Sequence, residues 1–177
     1  MDVKIKEFEG VYYPREDSHL LAGVVDKKAR GDVLDLGTGS GIQGITAALK
    51  GCKVTFADID RKAVEAAMKN AELNGVRGSF VLSDIFDGIG SKFDTIIFNP
   101  PYLPSDGIKQ RALDGGRGGR ELIDRFLGLY KDYLKPAGTV LLLESSFSGY
   151  EKEVEAGAKI LANGHYFFED LVVLELL

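Results

Sequence analysis

A chain of 177 residues with 45% hydrophobic and 28% charged side chains has room for one full core, and we expect a single domain spanning 1–177. A net charge of −5 weighs against a protein that grips nucleic acid through its phosphates unaided, and a lone cysteine, Cys52, excludes an internal disulfide and a cysteine-built metal site. No secretory signal, lipidation motif or long apolar run is visible at either end, so a cytoplasmic protein away from membranes is expected.

The first 17 residues read as irregular or edge-stranded, with Tyr12-Tyr13-Pro14 ending their apolar part. Leu20, Leu21, Val24 and Val25 then recur at helical spacing to about Ala29, and Asp17 or Ser18 is the natural N-cap. Val33-Leu34-Asp35-Leu36 reads as a short strand. It runs into Gly37-Thr38-Gly39-Ser40-Gly41, after which Ile42, Ile45 and Leu49 mark a helix. Strand, glycine loop and helix make the start of a phosphate- or nucleoside-binding unit, because glycines let backbone approach a ligand closely. The dinucleotide fingerprint would need glycine where Ile42 stands, and no Gly-Lys-Ser/Thr follows to make a P-loop. Asp35 sits awkwardly for a pyrophosphate. It suits a cationic ligand, such as an adenosyl sulfonium with an ammonium tail.

Lys53 to Asp58 is the second strand, ending in Asp58-Ile59-Asp60. One of these two aspartates can cap the helix Arg61 to Asn74 while the other holds a ribose diol. The ribose is assigned to Asp58 because it ends the strand. On that helix Ala63, Val64, Ala67, Met68 and Ala71 are expected on the buried side, and Asn74-Gly75 closes it. Ser79 to Ser83 is a third strand followed at once by Asp84, which by position either meets an adenine amino group or caps a turn.

Phe93 to Phe98 is a fourth, buried strand that stops at Asn99-Pro100-Pro101-Tyr102. The prolines have no N–H, so their carbonyls are left as acceptors; Asn99 adds an amide oxygen and Tyr102 a flat aromatic face. Such a tip suits a planar nitrogen that carries hydrogens, a carboxamide or an exocyclic amine. Residues 103–119 read as a long loop, expected to act as a substrate lid in which Arg117 and Arg120 order against a substrate backbone. Glu121 to Leu134 reads as a helix stopped by Lys135-Pro136-Ala137-Gly138, and Thr139 to Leu143 as a buried fifth strand. Residues 149–156 look helical, Ala158 to Leu161 either end that helix or form a short strand, and Leu171 to Leu177 is a last strand.

Taken together, the acidic residues ending strands one to three and Asp35-Leu36-Gly37-Thr38-Gly39-Ser40-Gly41 resemble a class I S-adenosylmethionine-dependent methyltransferase. Asn99-Pro100-Pro101-Tyr102 is similar to the tip of the amino-group methylators that act on glutamine N5, adenine N6 or guanine N2. Tyr13-Pro14-Arg15-Glu16-Asp17-Ser18, the run Leu113-Asp114-Gly115-Gly116 with Gly119-Arg120, and Phe167 to Leu174 resemble the HemK-type release-factor glutamine methyltransferases, in their archaeal and eukaryotic branch.

The resemblance implies an α/β, Rossmann-like fold: a mostly parallel seven-stranded sheet with an antiparallel last strand and helices on both faces. It implies that Ser18, Asp35, Gly37, Thr38, Gly39, Gly41, Asp58, Ile59, Asp84, Ile85 and Asn99 contact S-adenosylmethionine. It further implies that Asn99, Pro100, Pro101 and Tyr102 hold the acceptor amide. The substrate implied is a class I translation release factor carrying Gly-Gly-Gln, and a small zinc-binding activator subunit often pairs with enzymes of this branch. An adenine or guanine methyltransferase acting on DNA or RNA is the alternative. The segment Gly157 to Tyr166 departs from the family pattern and leaves the sixth strand open.

Overall fold

The computed structural model describes residues 3–101, 120–166 and 168–177. Along them run α1 (Glu16–Lys28), β1 (Asp32–Leu36), α2 (Ile42–Leu49), β2 (Lys53–Asp58), α3 (Arg61–Leu73), β3 (Gly78–Leu82) and β4 (Phe93–Phe98). After these come α4 (Glu121–Leu127), a 3-10 turn (Tyr130–Tyr133), β5 (Leu134–Ser145), α5 (Glu151–Glu155), β6 (Lys159–Tyr166) and β7 (Glu169–Leu176). The strands form one seven-stranded sheet in the order β3-β2-β1-β4-β5-β7-β6. β1 to β5 are mutually parallel, and β7 runs antiparallel to both of its neighbours, as the resemblance implied.

The two-residue period of a strand sorts its side chains onto two faces. Val33, Ile97, Leu141, Leu143, Leu171 and Val173 face the helices α1, α2 and α3, packing on Leu21, Val24, Val25, Ile45, Ala67 and Ala71. Leu34, Leu36, Ile96, Phe98, Val140, Leu142, Val172 and Leu174 face α4 and the 3-10 turn. There Phe126 lies 4.8 Å from the Phe98 ring, and Phe86 stacks on Tyr133 at 4.2 Å. Each such large side chain contributes roughly 1.5–3 kcal/mol when fully buried, so both faces are needed to hold the sheet.

Two expectations change, and one left open is decided. Met68 is 46% exposed, while Ala66 and Asn70 are buried. The inward stripe of α3 runs through Ala63, Ala67 and Ala71 with Ala66 and Asn70 beside it, and one step past Ala67 rotates Met68 by about 100° to solvent. The helix expected over 121–134 ends at Leu127, continues only as the 3-10 turn, and Lys135 to Gly138 opens β5. That stretch is a bulge. Phe93 pairs with Leu134 but Thr95 with Thr139, and Ala137 takes φ +59°. A bulge tolerates Pro136 because no ladder donor is required there. Finally, a sixth strand does form, paired with β7 from Lys159↔Glu175 to Tyr166↔Glu169.

Candidate active site

The carboxyl ends of β1 to β4 meet at one edge of the sheet, where the strand order reverses around β1; in open α/β sheets this is where ligands sit. The loop Gly37 to Gly41 is fixed there from several sides. Thr38 N donates to Ala57 O (2.9 Å), Thr38 Oγ1 to Asp35 Oδ2 (2.6 Å), Gly39 N to Asp58 Oδ2 (3.0 Å) and Gly41 N to Thr38 O (2.8 Å). Gly41 precedes α2 with φ +88°, a conformation that L side chains avoid. Gly44 donates its N–H to Asp35 Oδ2 at 2.9 Å, and a Cβ there would come within 2.3 Å of the Phe56 ring. Glycine is therefore required for α2 to lie against β1 and β2. From the other side the wholly buried Asn70 donates to Ser40 O at 2.9 Å.

Negative charge is concentrated around this loop. Asp35 is 2% exposed, and burial pushes its carboxyl up to about 7 although Thr38 and Gly44 donate to it; the nearby Asp58 adds to the rise. Burial raises Asp58 as well, against the backbone N–H groups of Asp60 and Gly39. Among the described residues neither carboxylate is in an ion pair. Two desolvated acids without a cation favour a positively charged ligand. Asp60 takes the capping role, accepting from Lys62 N at 2.9 Å, while Asp58 Oδ1 accepts from Asp60 N at 2.9 Å. Ile59 is 55% exposed just beyond Asp58. Asp84, past β3, accepts from Arg125 Nη2 of α4 at 3.2 Å. Ile85 beside it is buried with φ +50°. For a β-branched residue that conformation costs on the order of 1–3 kcal/mol and marks a constrained site.

Asn99 follows β4, next to the glycine loop across the β1–β4 pairing. Its Nδ2 donates to Asp17 Oδ2 at 2.9 Å, while its Oδ1 is buried and has no partner among the described residues. Asp17 Oδ1 accepts from Tyr12 Oη at 3.0 Å and from Ser18 Oγ at 3.4 Å. Asp17 and Ser18 are thus not caps: α1 starts at Glu16 with Arg15 as its N-cap, and both are buried in its first turn. Gln43 Nε2 donates to Ser18 O at 2.9 Å and leaves Oε1 buried without a described partner. Pro100 is buried and Pro101 half-buried. Tyr102 and the lid expected over 103–119, including Arg117, lie outside the described residues, as does Phe167.

Arg120 does not face the site. Its Nη1 donates to Ser148 O (2.9 Å), Gly149 O (3.3 Å), Glu144 Oε2 (3.4 Å) and Glu153 Oε2 (3.2 Å), and its Nη2 bonds Glu153 again. Glu144, fully buried at the carboxyl end of β5, is pushed up by burial and by Glu153 to about 8.

Sequence reasoning missed Tyr12, Asp17, Gln43 and Asn70 as parts of the site. A signal existed for Asp17. It stands four residues before Leu21 and seven before Val24, on the apolar stripe of α1, where a carboxylate needs partners.

The crowded acids, the glycine loop and the unpaired acceptors fit an adenosyl ligand with a sulfonium and an ammonium group. Among the described residues no cluster of His, Cys, Asp and Glu could hold a metal ion, and no described helix is long and apolar enough to cross a membrane. Comparison with known proteins agrees with the geometry. The chain is 46% identical to a candidate protein N5-glutamine methyltransferase of Methanocaldococcus jannaschii, over 85% of this chain and 80% of that one. It is 33% identical to human methyltransferase HEMK2, covering 77% of this chain and 72% of that one. It is also 36% identical to ribosomal RNA small subunit methyltransferase C of Mannheimia succiniciproducens, but spans only 44% of that protein's length. A ribosomal protein L11 methylase from Lactobacillus delbrueckii shares the fold at a TM-score of 0.72 and 21% identity, over 97% of this chain and 83% of that one. The family model of the methyltransferase small domain matches residues 3–162, from the segment before α1 to beyond the ends of β1 to β5, and the chain belongs to that family of methyltransferases.

Proposed function

We propose that this chain transfers a methyl group from S-adenosylmethionine to the side-chain amide nitrogen of a glutamine, in the Gly-Gly-Gln segment of a class I translation release factor. The observation that carries this reading is Asn99 at the tip of β4, beside the glycine loop, with a buried amide oxygen unpaired among the described residues. The names of the Methanocaldococcus relative and of the release factor glutamine methyltransferase of Lactococcus lactis, 36% identical over 59% of this chain, support the glutamine acceptor.

When bound, S-adenosylmethionine supplies a methyl group already activated by its sulfonium. In this reading Asp58 holds the ribose diol, Asp84, Ile59 and Ile85 the adenine, and Asp35, Gly37, Thr38, Gly39, Gly41 and Ser18 the amino-acid end. The protein then has to position and to polarise. A carboxamide nitrogen is a poor nucleophile because its lone pair is delocalised. The Asn99 amide oxygen and the Pro100 carbonyl each accept one of its N–H bonds, which favours a pyramidal nitrogen and stabilises positive charge as it develops. The aromatic ring of Tyr102, a residue outside the described ones, supplies a flat face suited to the amide plane. The proton can leave after transfer, so no strong base is required. His19 is exposed on α1, and His165 pairs with Asp170 at 2.7 Å at the far edge of the sheet. Glycines flanking the glutamine let it enter a narrow slot.

The likeness to a ribosomal RNA methyltransferase favours a second reading, transfer to an exocyclic amine of a nucleic-acid base. The net charge of −5 weighs against it. The test offers labelled S-adenosylmethionine with wild-type release factor, its Gln→Asn variant, DNA and RNA, each with and without a small zinc-binding activator. Label on the wild-type factor and not on its variant is expected. Equal labelling of both factors, or label only on DNA or RNA, overturns the glutamine assignment.

A further inference from the structure

Asn99 can serve as an acceptor only if its amide faces the right way. A carboxamide presents an oxygen at one corner and two N–H donors at the other, and a half-turn about its last bond exchanges them. With the oxygen toward the substrate nitrogen, Asn99 accepts an N–H. With its own N–H groups there, it confronts the substrate donor with donors. Nothing in an asparagine chooses between these states, so the surroundings must.

The surroundings here are one carboxylate. Asp17, from the first turn of α1 and 82 residues away in sequence, receives Asn99 Nδ2 on Oδ2 at 2.9 Å. A carboxylate only accepts, so it pairs with the nitrogen and rejects the oxygen. Asp17 is itself locked: it is 4% exposed and its other oxygen takes Tyr12 Oη at 3.0 Å and Ser18 Oγ at 3.4 Å. Burial and the Asp17 carboxylate both raise the Tyr12 phenol well above its ordinary value, which keeps Tyr12 a donor. The result is a convergent arrangement in which Tyr12 and Asn99 both donate to Asp17, and the Asn99 amide oxygen is left buried with no partner among the described residues. We propose that Asp17 is a positioning residue: seated by Tyr12, it fixes the Asn99 amide with its nitrogen inward and its oxygen toward the acceptor nitrogen of the substrate. The proposal rests on the assignment of Asn99 to the acceptor amine and adds what sets its polarity.

The test combines a kinetic cycle with a measurement that needs no substrate. Asp17→Ala should lower kcat by roughly 10- to 100-fold, the loss of one hydrogen bond to a charged partner expressed in the transition state, with KM and S-adenosylmethionine affinity held within about threefold. Combined with Asn99→Ala it should cost little more than Asn99→Ala alone, because the two act as a unit. Asn99→Asp sets two carboxylates face to face and should be nearly inactive. Asp17→Asn with Asn99→Asp exchanges donor and acceptor across the contact and should recover at least about tenfold over Asn99→Asp; a merely structural Asp17 would give no such rescue. Independently, the Asn99 side-chain NH₂ resonances of the ¹⁵N-labelled protein should be protected from exchange in the wild type and lose that protection in Asp17→Ala, with both proteins checked for cooperative melting. Additive losses, a parallel fall in cofactor affinity, or unchanged Asn99 resonances would overturn the proposal. If the wild type labels RNA and no glutamine, the substrate reading fails, while the resonance measurement still decides the role of Asp17.

Discussion

Asp35 shows what a single buried acid costs and offers. Its carboxyl stands near 7 because burial removes water faster than Thr38 and Gly44 replace it. A folded-state value above the unfolded one, about 4, means that the group stabilises the fold fully below pH 4 and loses that contribution as the pH rises through about 7. Asp35→Asn keeps an oxygen for Thr38 and Gly44 but cannot ionise. The difference in melting temperature between wild type and Asp35→Asn, without cofactor, should therefore shift against the wild type between pH 4 and 7 and level off above. Asp58 and Glu144, raised in the same direction, remain in both proteins, so the difference isolates Asp35. A difference independent of pH would show that Asp35 stays ionised throughout. The same logic explains why this acid stands out in the sequence: an aspartate inside an apolar strand that ends in glycines has few structural uses. Asp17 was passed over because an acid at the start of a helix is so often a cap, although its place on the apolar stripe with Leu21 and Val24 marks it as buried.

At the scale of elements, most strands and helices were readable because period and punctuation agree. Val33 to Leu36 before a glycine loop and Phe93 to Phe98 before Asn-Pro-Pro leave little choice. The failures lie where local pattern and tertiary context part. β6 is an edge strand with Asn163 and Gly164 in it and mostly exposed or half-buried positions, so it carries no alternating signal, and its partner β7 decides its conformation. Arg120 read as a substrate contact because it closes a glycine-rich run, whereas it joins α4, the β5 exit and α5 through Glu144, Glu153 and two carbonyls. Arg120→Ala should cost on the order of 3–5 kcal/mol, since it strands two buried acids without their cation. Denaturant melts at neutral pH should show the loss. The loss should deepen above about pH 8, because Glu144, whose carboxyl stands near 8 beside Arg120 and is mostly neutral at pH 7, ionises there against its cation in the wild type but has none in the variant. A melt unchanged at both pH values would sink the anchor role.

For the molecule as a whole, charge and topology point the same way. With a net charge of −5 the chain has little to offer a phosphate backbone. An acceptor held by glutamine contacts should show a KM that moves by less than about threefold between 50 and 200 mM salt, whereas a nucleic acid gripped through six or more phosphates would lose about 10³-fold or more. A steep salt slope on the acceptor KM would favour the nucleic-acid reading. The succession of strands, glycine loop and helices was readable in advance, and the architecture followed from the resemblance to a family. The proposed acceptor tip was argued from the chemistry of its residues, and the proposed cofactor assignments followed from a resemblance to a family, with only the acids and glycines arguable from chemistry.

The wholly buried Asn70 joins the leading segment to the glycine loop. Its amide exchanges hydrogen bonds with both backbone groups of Lys6 (2.9 and 3.3 Å) and also donates to Ser40 O. Asn74, one turn on, grips Lys4 in the same two-way fashion at 2.9 and 2.7 Å. The leading segment thus lies along α3 like a strand whose partner is built from side chains. Through one carboxamide, its seating is tied to the backbone of the glycine loop at Ser40. A ligand that tightens the loop should then tighten the segment around Lys6, and Asn70→Ala should uncouple the two, seen as amide exchange at Lys6 that no longer responds to ligand.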